Sequence, residues 1–274
     1  MNSTNMLNLL LTKKYTLNTT KFIRAFWGDL NHHDGRHKIE IERTSEYQRL
    51  DEVVYVWGKE NEKFIKSFGF KTILVNDNPF QYGIDYFEDC RTFFLHKLMA
   101  IYYGIRDYEK VVFLDWDIIP QKEIDKNFYN QLKSPIQIPL YSFPKDYEDI
   151  VLAEWKDISF RDKRYLHTQN RLIQEYGWNF GDDKVIPNTS FVYCDDIKLI
   201  ETFIHINRYD ERTMISDEFP ILYYFKNKNI GLNEYITKYE PSVSNAKFET
   251  HFNQKLLNDY IKKIIKKDLY FIHE

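Results

Sequence analysis

Asp115 and Asp117 stand on either side of Trp116, in the stretch "VVFLDWDIIP" (111–120). Two carboxylates one residue apart repel each other unless positive charge sits between or beside them. A divalent cation supplies that charge. Mg²⁺ or Mn²⁺ takes oxygen ligands and keeps positions for water and phosphate, so such a pair can hold the ion that grips a diphosphate. The pattern Asp-x-Asp alone also describes two solvated acids at a strand end. Here the context is narrower: a Val/Phe/Leu strand precedes the pair, an Ile-Ile-Pro step follows it, and a helix carrying Arg91 and Lys97 leads into it.

The elements that must position this pair alternate in type. Strands are expected at "KFIRAF" (21–26), "EVVYVW" (52–57), "KTILVN" (71–76) and "KVVFLD" (110–115), with helices at "KENEKFIKSFG" and "CRTFFLHKLMAIYYGI" (90–105) between them. Strands alternating with helices predict an α/β fold, a mostly parallel sheet with helices on both faces. Ligands in such sheets bind at the carboxyl ends of the strands. The polar or ring-bearing ends "FWGD", "VNDN" and "DWD" therefore fall where a ligand would lie. The second half is less regular. It offers a polar helix near 161–177, a strand "IPNTSFVY" (186–193), an amphipathic helix "DIKLIETFIHIN", and a helix opening around "SDEFPILYYF" with Ser216 as N-cap and Pro220 in its first turn.

Composition bounds the rest. The 274 residues are 43% hydrophobic and 29% charged, enough for one large domain or two small ones with a sizeable core, and without repeats or linkers one compact domain is the simplest reading. A formal net charge of -3 provides no global basic field, which argues against a general nucleic-acid binder. With only Cys90 and Cys194, neither a disulfide framework nor a cysteine zinc site is expected, and a reducing, cytoplasmic setting fits. "MNSTNMLNLLLTKKY" has a short apolar run followed by lysines, so neither a signal peptide nor a membrane span is expected.

From "TFFLHKLMAIYYGIRDYEKVVFLDWDIIP" through "IPNTSFVYCDD" to "ISDEF", the order of motifs resembles the nucleotide-sugar-dependent glycosyltransferases of the GT-A fold, over roughly residues 20–220. The resemblance implies a single GT-A-like domain over 1–274, with a nucleotide-binding half at about 20–120 and an acceptor-binding half at about 121–274. It also implies Mn²⁺ or Mg²⁺, a nucleotide-sugar donor, by analogy a UDP-sugar, and a hydroxyl acceptor on a glycan, glycolipid or glycoprotein. Asp117 then matches the principal metal ligand and Asp115 the residue shared between ribose and metal, with Trp116 pointing away. Trp27 matches a residue near the base and Asp77 a contact to base or ribose. Lys97 or Arg91 matches the basic residue that meets the diphosphate or donor sugar, and Asn188 a sugar contact. Asp217 and Glu218 match the acidic pair beside the reacting carbon, either being a candidate to take the acceptor proton. His273 stands where relatives recruit a third metal ligand, with His251 as substitute. Ser190 and Phe191 replace the family's glycine-containing step. The resemblance admits either a retaining or an inverting transfer at the anomeric centre.

Plainer readings stand beside these. Acids in the first turn of a helix favour its dipole, lysines are ordinary on helix surfaces, and Trp27 suits a core. The "NHHDGRH" loop, with His32, His33, Asp34 and His37, reads as solvated, with closure over the donor as its functional alternative. A C-terminal helix with Leu256, Leu257, Tyr260, Ile261, Ile264 and Ile265 opposite a lysine face offers peripheral membrane contact or ordinary core packing. Two rivals of other classes are a haloacid-dehalogenase-type phosphohydrolase using Asp115 and Asp117, and a catalytically degenerate nucleotide-sugar-binding protein. In the first of these the acidic motif normally opens the domain, whereas here three expected strands precede it.

Overall fold

The computed structural model describes residues 20–28, 35–46, 50–76, 90–120, 122–132, 134–138, 140–143, 178–180, 183–187, 189–207, 218–227, 243–245 and 271–273. In chain order the elements are β1 (Lys21–Phe26), α1 (Gly35–Glu46), β2 (Glu52–Val56), α2 (Lys59–Ser67), β3 (Lys71–Leu74), α3 (Cys90–Tyr108), β4 (Val111–Leu114) and β5 (Ile118–Pro120). There follow α4 (Lys126–Gln131), β6 (Ile136–Gln137), β7 (Leu140–Phe143), β8 (Trp178–Phe180), β9 (Asp183–Pro187), β10 (Phe191–Cys194), α5 (Ile197–Asn207), α6 (Phe219–Asn227), β11 (Val243–Asn245) and β12 (Phe271–His273).

The main sheet has the order β3-β2-β1-β4-β10-β6. Strands β1 to β4 are mutually parallel, and β10 runs antiparallel to both β4 and β6. This is the expected α/β fold with a mostly parallel sheet. The chain builds outward from β1 through β2 to β3, then returns to lay β4 on the other side of β1. The strand order therefore reverses between β1 and β4, and in open α/β sheets ligands bind at the carboxyl ends of the strands at such a point. The residues that follow those two strands are Trp27 and Asp115.

Both faces are covered. Ile23, Ala25, Val111, Phe113 and Val192 pack one face against Leu98 and Ile101 of α3 and Ile200 and Phe203 of α5. The other face carries two clusters: Phe26, Val54 and Val56 with Ile41 of α1 and Ile65 of α2, and Phe22, Val112 and Leu114 with Phe128 of α4 and Phe271 of β12. Alternating side chains of one strand serve both faces, as strand geometry requires. Asp125 caps α4 by accepting from the amides of Asn127 and Phe128, and Asp196 caps α5 by accepting from those of Lys198 and Leu199.

Two smaller sheets complete the frame. β7, β9 and β8 form an antiparallel trio, and β12 pairs with β11 on one side and β5 on the other. The strand expected over 186–193 is two strands in different sheets, β9 and β10, joined through a turn at Thr189–Ser190. Pro187 has no N–H with which to extend the ladder, and the polar residues after it favour a turn. The loop expected at "NHHDGRH" gives way to helix α1 from Gly35, so His37 lies in that helix. With few apolar residues in α1, the helical period was weak. Pro220 does fall in the first turn of α6. The segments 161–177 and 255–267, and Ser216, lie outside the described residues. Among the described residues no helix is long and apolar enough to cross a membrane.

Candidate active site

β4 ends at Leu114, and Asp115 to Ile118 make a turn closed by the Ile118 amide donating to the Asp115 carbonyl at 3.0 Å. The Asp115 amide donates to the Ser190 carbonyl at 2.8 Å, tying the turn to the segment before β10. Trp116 turns into the α1/α2 side of the sheet. Its Nε1 donates to the Ala25 carbonyl at 2.9 Å, and its ring meets Phe26 and Phe70 edge-on at centroid distances of 6.3 and 5.4 Å. The Trp116 carbonyl accepts from the Thr44 hydroxyl at 3.2 Å.

Backbone and tryptophan thus hold the turn on which the two carboxylates stand. Both aspartates are half-buried, and Oδ1 of Asp117 is buried. Lys97, on α3, donates to Asp115 Oδ2 at 2.8 Å from a side chain 9% exposed. It also donates to the buried Thr189 hydroxyl at 3.4 Å and sits 5.7 Å above the Phe113 ring. The ammonium answers part of the repulsion between the acids, since one of the pair has a cation beside it without any ligand.

Trp27 is half-buried beyond β1, with His96 of α3 stacked on its ring at 5.5 Å and 8°. His96 in turn meets Trp57 edge-on at 4.9 Å and 85°. One face of Trp27 is therefore occupied by protein. His273 lies in β12, paired in register with Ile118, the residue after Asp117. The sheet thus brings the chain's penultimate residue to the acidic turn across a gap of more than one hundred and fifty positions, a juxtaposition no local pattern could show. Glu218 is buried immediately before α6, which packs against α5 and β9. Arg91 lies in the first turn of α3, with its side chain outside the described part. Asp77, Asn188, Asp217 and His251 lie outside the described residues.

Sequence reading missed Arg24, Thr44, His96 and Thr189. Arg24 had a signal: one charged residue inside the apolar strand "KFIRAF" needs a buried partner. Among the described residues no group of three or more His, Cys, Asp or Glu side chains could cage a metal. The carboxylates of Asp115 and Asp117 are hard oxygen donors of the type that Mg²⁺ or Mn²⁺ takes.

No family model matches the chain, and no curated protein matches it. Among solved structures it is similar to mouse xyloside xylosyltransferase 1 in its apo form, with a TM-score of 0.49 and 10% identity over 93% of this chain and 97% of that one. It is similar also to a glycosyltransferase involved in the glycosylation of the major capsid of PBCV-1, with a TM-score of 0.41 and 11% identity over 93% of each chain. A third is CMP:2-keto-3-deoxy-manno-octonic acid synthetase complexed with CTP, with a TM-score of 0.40 and 8% identity over 77% of this chain and 87% of that one. Likeness at this level transfers no substrate and no residue role.

Proposed function

We propose that this chain is a metal-dependent glycosyltransferase that moves a sugar, hexose-like in class, from a nucleoside diphosphate, in first place UDP, to a hydroxyl of a glycan, lipid-linked or protein acceptor. The observation that carries the reading is the Asp115–Trp116–Asp117 turn, at the carboxyl end of β4 where the strand order reverses, with the buried Lys97 ammonium against one carboxylate. Asp115 and Asp117 would hold Mn²⁺ or Mg²⁺, with His273 as the third candidate ligand. The ion when bound supplies charge that offsets the negative charge building on the departing diphosphate. Lys97 contributes a second, fixed positive charge at the same place, shielded from water. As the acceptor oxygen bonds to the anomeric carbon, the bond from that carbon to the diphosphate oxygen breaks. The acceptor proton then passes to a carboxylate, for which Glu218 or Asp217 is the candidate in an inverting reaction. Trp27, Asp77, Arg91 and Asn188 are the proposed remaining donor contacts.

Thermal unfolding with UDP and Mn²⁺, singly and together, tests the reading on the native chain, Asp117→Asn and His273→Ala. A site-specific ligand at one hundred times its dissociation constant adds about 2.7 kcal/mol. Stabilisation that needs both ligands, vanishes in Asp117→Asn and weakens in His273→Ala supports the donor site. No shift with UDP, GDP or other nucleotides under any divalent metal would sink it. No specific observation favours the phosphohydrolase or the binding-only reading.

A further inference from the structure

Arg24 is completely buried in the centre of β1, on the sheet face shared with Phe22 and Phe26. Its Nε donates to Glu52 Oε2 at 2.7 Å, in a pair whose side chains are 0% and 4% exposed. Its Nη1 donates to the Asp115 carbonyl, and its Nη2 donates to the Ile118 carbonyl at 3.1 Å. The guanidinium also lies 5.3 Å from the Trp116 ring centroid. One side chain therefore grips the first and last carbonyls of the acidic turn and touches the residue between the two aspartates.

A buried ion pair is a poor source of stability, because desolvating both charges offsets their attraction, and well-packed apolar residues often do as well or better. What an apolar pair cannot supply is two N–H groups in a fixed planar fork, aimed at two carbonyls of one turn. We propose that Arg24, itself oriented by Glu52, is a positioning residue: it sets the backbone from Asp115 to Ile118 so that both carboxylates present a geometry fit for a divalent cation and a diphosphate. The inference rests on the donor reading above and deepens it. Arg24 acts through the turn and touches neither ligand.

The test compares the native chain with Arg24→Lys, Glu52→Gln and the double variant Arg24→Met with Glu52→Leu. Mn²⁺·UDP affinity is measured by calorimetry and stability by thermal unfolding. Loss of groups that orient metal ligands typically weakens metal binding about 10- to 100-fold. The double variant, with neither charge of this pair left buried, is expected to fold with near-native stability yet bind Mn²⁺·UDP weaker by that factor. Arg24→Lys should show the same loss, while Glu52→Gln, which can still accept from Arg24, should keep most of the affinity. A stable double variant that binds like the native chain overturns the proposal. If the native chain itself binds no Mn²⁺·UDP, the donor reading fails separately, and hydrogen exchange decides the remainder. Faster exchange of the Ile118 amide in the stable double variant would support control of the turn by Arg24, and unchanged exchange would overturn it.

Discussion

Lys97 Nζ lies 2.8 Å from Asp115 Oδ2, joining the middle of α3 to the residue that follows β4. The lysine is nearly enclosed, and the aspartate retains 27% of its side-chain exposure, so the pair stands between the surface and buried regimes. Exposed pairs contribute about 0.2–1 kcal/mol, and removing one partner of a fully buried pair costs about 3–5 kcal/mol.

A double-mutant cycle with Lys97→Met and Asp115→Asn should accordingly give a coupling of about 1–2 kcal/mol in the ligand-free chain. Lys97→Met alone should cost more than the double variant, because it leaves the two acids without their neighbouring ammonium. Additive losses, measured by denaturant unfolding, would show that the contact holds nothing in place.

Cys194 tests the core beneath the site. Burial pushes its thiol well above the ordinary value, and its Sγ lies 3.6 Å from the Asp196 carbonyl. In a Cys90→Ala background Cys194 is the only thiol, and it should resist a thiol reagent at pH 8 until denaturant is added. Its folded value exceeds the unfolded value of about 8.5, so above that pH the unfolded chain binds fewer protons than the native one. Stability should therefore be complete below about pH 8.5 and fall as pH rises. Tyr55, raised by burial first and then by its hydrogen bond to Asp107, should steepen the fall beyond about pH 10. Prompt labelling in buffer, or flat stability from pH 8 to 10.5, would contradict this burial.

The parallel half of the sheet was legible because β1, β2 and β4 are buried on both faces, and such strands read as apolar runs. The Asp-x-Asp turn was legible for the same reason: a strand must end before a charged loop can begin. Arg24 was not, since a lone arginine in an apolar strand announces a buried partner without naming it, and Glu52 lies on another strand. The register of His273 against Ile118, like the division of 186–193 between two sheets, depends on pairing between distant segments. Thr44 and His96 became visible only through their neighbours, as a hydroxyl on a polar helix and a ring between two tryptophans.

Gly104 links the packing of α3 to the placement of Lys97. A Cβ added there would lie 2.7 Å from Ile23 Cδ1 and 2.9 Å from Val111 Cγ1. The isoleucine tip can rotate away, but the valine is stiff at χ1 and fixed in β4, so α3 has to lift from the sheet. Gly104→Ala gains about 1 kcal/mol of helix propensity, whereas overpacking a tight core costs about 1–3 kcal/mol. We expect a net loss of about 1 kcal/mol and a midpoint lower by a few degrees. Lys97 lies two turns earlier on the same helix, about 10 Å along its axis, so lifting α3 also draws the ammonium from Asp115. Mn²⁺·UDP binding should weaken in Gly104→Ala and recover in part when Val111→Ala removes the rigid methyl. A higher unfolding midpoint in Gly104→Ala would mean that the helix relaxes without cost, and the close approach of α3 to β1 and β4 would not be what positions Lys97.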